Sequence, residues 1–141
     1  MTEIPVFQID AFTDRVFGGN PAAVCPLDDW LDEATMLAVA AENNLAETAF
    51  FVPEGDGYRL RWFTPTVEVE LCGHATLASA FLVFDRLRPD AAGVSFETRS
   101  GTLTVVRDGE NLVLDFPAYP GPVVECPPDL AAGLGIEPVE V

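Results

Sequence analysis

The chain has 141 residues, 49% of them apolar, which is enough for one ordinary domain with its own core and rules out a disordered chain. Its 23 acids face seven arginines and no lysine, a formal net charge of −16. A chain of that sign lacks the clustered cations needed to grip nucleic acid or an anionic membrane surface, so neither is an expected partner. The acids are spread along the sequence, as in a solvated acidic surface or one adapted to high salt. The three cysteines, Cys25, Cys72 and Cys126, are an odd number without paired ligand spacing. They suggest no disulfide framework and no metal site, and they fit a cytoplasmic chain with reduced thiols. Met1 to Pro5 lacks the basic and apolar regions of a signal peptide, and the longest uncharged apolar run, Ala75 to Phe84, is too short to cross a bilayer.

In chain order, Val6 to Phe12 reads as a first strand. Phe17-Gly18-Gly19-Asn20-Pro21 reads as a tight turn, its glycines supplying unusual backbone angles, and Ala22 to Cys25 as a short buried strand. A helix follows, N-capped by Asp32, with Leu31, Met36, Leu37, Ala40 and Ala41 on its apolar face and Asn43-Asn44 at its end. Leu45 to Val52 and Tyr58 to Phe63 read as strands joined by a Glu54-Gly55-Asp56-Gly57 turn. After Thr64-Pro65-Thr66, Val67 to Leu71 alternates as a strand with Val67, Val69 and Leu71 inward and Glu68 and Glu70 outward. Ala75 to Phe84 carries no charge, and a helix apolar on all sides must be surrounded by protein. Because its neighbours read mostly as strands, the expected fold is α+β: a curved, barrel-like, mostly antiparallel sheet around a central apolar helix. Three further strands, Val94 to Thr98, Thr102 to Arg107 and Asn111 to Phe116, form a meander. Beyond Phe116 a proline-rich linker leads to a short helix from Pro128 and a strand-like stretch, Ile136 to Val141. The chain therefore divides into a unit over 1–118 and, over 119–141, a linker with the opening of a second unit.

Three places could carry chemistry. Glu47 is the only charge between Glu42 and Glu54. On a strand it would share a face with Leu45, Ala49 and Phe51, surroundings that raise a carboxyl's pKa and suit it to general acid/base work. Gly73-His74 stands where a helix should begin, where free N–H groups favour a carboxylate or phosphate and glycine permits close approach. His74, the single histidine, could bond such a ligand or relay a proton. Cys72 could act as a thiol base, or it could be a small buried side chain at a strand end.

Taken together, four segments resemble one family: Asp10-Ala11-Phe12-Thr13 with Gly19-Asn20-Pro21-Ala22-Ala23-Val24, then Asn44-Leu45-Ala46-Glu47-Thr48-Ala49-Phe50, then Leu71-Cys72-Gly73-His74-Ala75-Thr76-Leu77-Ala78. Their order is that of the PhzF-like isomerases of phenazine biosynthesis, from about Val6 through Phe116 and more loosely beyond. The resemblance implies one half of a diaminopimelate-epimerase-like fold, in which two such halves enclose a cleft. It implies a cofactor-independent isomerase that moves a proton between carbons of a small carboxylated metabolite. Glu47 matches the family's acid/base glutamate, Gly73 and His74 its substrate-contacting pair, and Asn20 the asparagine of its early turn. Ala46 departs from a frequent serine, which removes a hydroxyl contact to substrate. The related epimerases, which carry Cys-Gly-Asn at Cys72-Gly73-His74, offer an alternative with Cys72 as thiol base. A third alternative is a non-catalytic dimerisation or assembly half-domain. The partners expected are the metabolite, the C-terminal half of the same fold and, in a homodimer, a second copy.

Overall fold

The computed structural model describes residues 3–135, so the strand-like stretch after Gly135 lies outside the described residues. The elements run β1 (Phe7–Ala11), β2 (Asn20–Pro26), α1 (Glu33–Asn43), β3 (Thr48–Glu54), β4 (Gly57–Phe63), β5 (Glu68–Val69), α2 (Gly73–Leu82), a π-helical turn (Val83–Leu87), β6 (Gly93–Thr98), β7 (Gly101–Asp108), β8 (Asn111–Asp115) and α3 (Pro128–Leu134). They form one eight-stranded sheet in the order β1-β2-β3-β4-β6-β7-β8, with β5 on β4. The pairs β2–β3 and β4–β6 are parallel and the rest antiparallel. Each parallel pair needs a crossover: α1 joins β2 to β3, and the β5–α2 segment joins β4 to β6.

Helix α2 touches β1, β2, β3 and β8, so both outer strands of the sheet reach it and the sheet is curled around it. His74, Ala75, Thr76, Ala78, Ser79, Ala80 and Leu82 are all buried, and the hydroxyls of Thr76 and Ser79 bond back to the carbonyls of Cys72 and Ala75. An uncharged helix is tolerable here because protein replaces water on most sides; only Phe81, half exposed, faces out fully. Strand alternation then sorts the core. Ala22, Val24, Ala49, Phe51, Tyr58, Leu60 and Trp62 face α2, while Cys25, Phe50 and Phe63 pack with Met36 and Ala40 of α1 on the convex side. The Phe51 ring meets Tyr58 and Phe96 edge-on, at centroid distances of 4.9 and 6.1 Å.

Several boundaries differ from the sequence reading. Asn20 and Pro21 belong to β2, so the turn ends earlier, and the left-handed backbone angles fall on Phe12 and Phe17 instead of on the glycines. Gly19 is required by space: a Cβ there would collide with the Ala11 carbonyl oxygen. Helix α1 does begin at the Asp32 cap, whose carboxylate accepts the Thr35 N–H at 2.9 Å, and it ends on left-handed Asn44. Ala41, expected inward, is exposed, and Val39 packs in its place.

At β5 the alternation holds, with Val69 beside Trp62 on the α2 side and Glu68 beside Phe63 on the convex side, but the exposure differs from the sequence reading. Val67 is 55% exposed, whereas the Glu68 side chain is 8% exposed. Glu68 takes the Arg61 guanidinium side-on, through Nε and Nη2 at 2.7 Å each, and a third contact from Arg99 at 2.7 Å. Arg61 also reaches Glu33 of α1 and lies over the Trp30 and Phe63 rings. An acid covered on the convex face is stable here because two guanidiniums replace its water; alternation of residue type cannot reveal that pairing.

Two outcomes test this account. Phe51→Ala lowers unfolding free energy by about 3–5 kcal/mol, read as a fall in urea midpoint, because a fully buried ring leaves a cavity. The hydrogen bonds from Arg61 hold the Glu68 carboxyl below its ordinary value. A carboxyl whose folded pKa is depressed stabilises the fold above its unfolded pKa and loses that contribution as pH falls through the folded one. Glu68→Gln therefore lowers stability at neutral pH and flattens its decline on the acid side.

Candidate active site

The curled sheet brings the start of α2 against the entry to β3. Glu47 is the last residue before β3, and its carbonyl accepts the Ala23 N–H of β2 at 3.3 Å. It is therefore not on a strand face with Leu45, Ala49 and Phe51, because the strand expected from Leu45 begins at Thr48. Its short connection is pinned from both sides: the Asn43 side-chain amide donates to the Thr48 hydroxyl at 3.1 Å, across the bend that carries Glu47. Thus Asn43, read from sequence only as a helix terminator, also braces the connection that carries Glu47.

Cys72 is the N-cap of α2, and Gly73 and His74 are its first two residues. The imidazole sits between two partners. Its Nδ1 lies 3.4 Å from Cys72 Sγ, and its Nε2 lies 3.4 Å from Glu47 Oε2. The side chains of His74 and Glu47 are 9% and 21% exposed, so Glu47 is the side open to solvent. Burial pushes the Cys72 thiol up to about 12, with the neighbouring Glu47 charge adding to the rise and the N–H groups of Ala75 and His74 opposing it. In the tautomer where the protonated thiol donates to Nδ1, the ring proton is on Nε2, facing Glu47. The 3.4 Å approach is within ion-pair range, but its direction is not that of a hydrogen bond, and Nε2 is a buried polar atom with no hydrogen-bond partner among the described residues. A small rotation of either side chain would complete it.

The other expected residues are placed less tightly. Asn20 opens β2, the strand beside β3, on the face shared with Ala22 and Val24, and it is exposed. It stands at the same end of the sheet as Glu47 but is not among the contacts of Glu47, Cys72 and His74. Over Gly73 the room is taken by Phe116: a Cβ there would meet the ring at 3.2 and 3.3 Å. The close approach that glycine permits is made, in this chain, by its own aromatic side chain. A cavity of about 480 Å³ lined by residues such as Ile4, Leu27, Tyr58 and Leu87 lies elsewhere and includes none of these groups. The cluster sits instead at the open end of the curled sheet.

The Phenazine biosynthesis-like protein family, PhzC-PhzF, matches over residues 9–129. The chain belongs to this family. It is 53% identical to an uncharacterized isomerase of Pseudomonas aeruginosa over 139 residues, 99% of this chain and 54% of that protein. The crystal structure of a phenazine biosynthesis PhzF family protein from Enterococcus faecalis superposes with a TM-score of 0.88 at 47% identity, covering 97% of this chain and 53% of that one. A predicted epimerase of P. aeruginosa superposes with a TM-score of 0.68 at 29% identity, covering 78% of this chain and 41% of that one. The chain thus spans about half the length of the curated relatives it matches. Among the described residues no helix is long and apolar enough to cross a membrane.

The thiol assignment can be checked directly. With iodoacetamide at pH 8 the partly exposed Cys126 is alkylated first, while Cys72 and Cys25, both buried and both pushed up to about 12, react about 10²-fold or more slowly until the chain is denatured. Peptide mass mapping over time reads the order. Equal rates for Cys72 and Cys126 in the native chain would overturn it.

Proposed function

We propose that this chain carries the acid/base half of a cofactor-independent isomerase, with Glu47 moving a proton between two carbons of a small carboxylated metabolite. One observation carries the reading: a carboxylate open to solvent on one side stands 3.4 Å from the ring nitrogen of a buried histidine at the first turn of a helix. The N–H groups at the start of α2 suit the substrate's carboxylate. His74 donates from Nε2 to the same substrate or to Glu47. Glu47 then takes a proton from one carbon as the C–H electron pair moves into the adjacent π system, and it returns that proton to a second carbon. Proton and electrons balance within the substrate, so the step calls for neither oxidant nor reductant. Asn20, at the neighbouring strand end, is the remaining substrate contact. The isomerase name of the P. aeruginosa relative agrees with this class of reaction.

The epimerase alternative draws on the likeness to a predicted epimerase and on the Cys72 thiol beside His74. It is the weaker reading because a thiol pushed up to about 12 by burial supplies little base at neutral pH.

In a protein of the family's full length containing this chain, proton NMR in D₂O follows isomerisation and deuterium uptake by unsaturated and hydroxylated carboxylates. Glu47→Gln should slow both by about 10²–10⁴-fold, and Cys72→Ser should leave them near the parent rate. Full turnover by Glu47→Gln would remove Glu47 from the proton-carrying role. Loss in Cys72→Ser with Glu47→Gln active would favour the epimerase chemistry.

A further inference from the structure

Glu47, Cys72 and His74 offer one carboxylate oxygen, one sulfur and one imidazole nitrogen that all lie within 4.8 Å of one another. No sequence spacing announced this, because the donors come from two segments separated by three strands and joined only by the curl of the sheet. A second observation points the same way. The buried His74 Nε2 has no hydrogen-bond partner among the described residues, although an anionic oxygen stands 3.4 Å from it. A ring nitrogen in that position is satisfied either by a rotation that completes the bond to Glu47 or by an ion between the two.

The donor set selects the ion. Sulfur and imidazole nitrogen with a single carboxylate suit a borderline-soft divalent cation in tetrahedral coordination, whereas magnesium and calcium require shells of oxygen. Cys72 and His74 are buried, and Glu47 is the partly open edge, so three protein ligands would leave the fourth position toward solvent. The chain's charge of −16 attracts cations to its surface generally. Against this stand the positive end of α2 and the protonated thiol. Coordination overcomes the second: the S–H bond breaks, the proton leaves to solvent and the sulfur–metal bond forms, so affinity rises with pH. The N–H groups of Ala75 and His74 that oppose the rise in thiol pKa would also stabilise the bound thiolate.

We propose that Glu47, Cys72 and His74 form a three-ligand site for a zinc-type divalent cation. The site rests on the donor geometry. Its consequence rests on the Glu47 reading above: an ion on that carboxylate occupies the lone pair that would take the substrate proton, so the bound form is the inactive one.

The untagged 141-residue chain, titrated with Co²⁺ at pH 7.5 under a non-chelating reductant, provides the test. One equivalent should bind with a thiolate-to-cobalt charge-transfer band, intense tetrahedral visible bands and release of one proton, and Zn²⁺ should displace it. The charge-transfer band should vanish in Cys72→Ser, the complex should be lost in His74→Ala, and Cys126→Ser should behave as the parent. X-ray absorption on the zinc-loaded parent, which needs no variant to fold, should give one sulfur with nitrogen and oxygen in the first shell. No charge-transfer band up to millimolar Co²⁺, a band that survives Cys72→Ser, or a shell of nitrogen and oxygen alone would overturn the site. An ion that binds as described while Glu47→Gln retains full turnover would keep the site and remove only its link to catalysis.

Discussion

The burial of α2 is the constraint on which the rest of the molecule depends. A ten-residue helix with no charge cannot lie on a flat sheet without leaving an apolar flank in water. The sheet meets that demand by curling until β1 and β8, its two outer strands, both touch the helix. The two parallel pairings follow from the same geometry. A chain that must return to place another strand beside the last one needs a crossover, and in β4 to β6 the crossover is the buried helix itself.

That one packing decision also builds the site. With α2 held inside the curl, its first turn is presented at the end of the sheet where β3 begins. Glu47 and His74 then meet although 27 residues separate them by number. The helix contributes N–H groups and the buried imidazole, the strand entry contributes a carboxylate with one open side, and Cys72 stands against the other ring nitrogen. On the convex face Arg61 ties Glu33 of α1 to Glu68 of β5 and lies over the Trp30 ring. The proton chemistry and the cation chemistry proposed above are two uses of the same three donors. They compete because each needs the free carboxylate of Glu47.

Much of the fold was legible along the chain. The Asp32 cap and the Asn44 stop, the Gly55-Asp56 hairpin, the closing meander and the enclosed helix all depend on neighbours within a few residues or on a composition that admits one environment. The departures share a cause. Glu68 is covered because Arg61 of β4 and Arg99 of the turn after β6 close over it, Ala41 points outward because α1 packs on one narrow side, and the positive backbone angles fall on Phe12 and Phe17 because β1 and β2 dictate the path between them. Each is settled by packing between elements, which the local pattern of apolar and polar residues does not contain.

For the site, the sequence by itself determined which residues have the chemistry: a lone acid in an uncharged run, the single histidine, and a thiol and glycine at a helix start. Residue type and local charge are sufficient for that, and the order of short motifs was sufficient for the family. Only the tertiary structure decided how they relate. It moved Glu47 off the strand and onto its entry, set His74 between the acid and the thiol, laid Phe116 over Gly73 and left Asn20 at the rim. The physical reason is that distances, burial and proton positions are properties of pairs, and these pairs exist only once the sheet has closed around the helix.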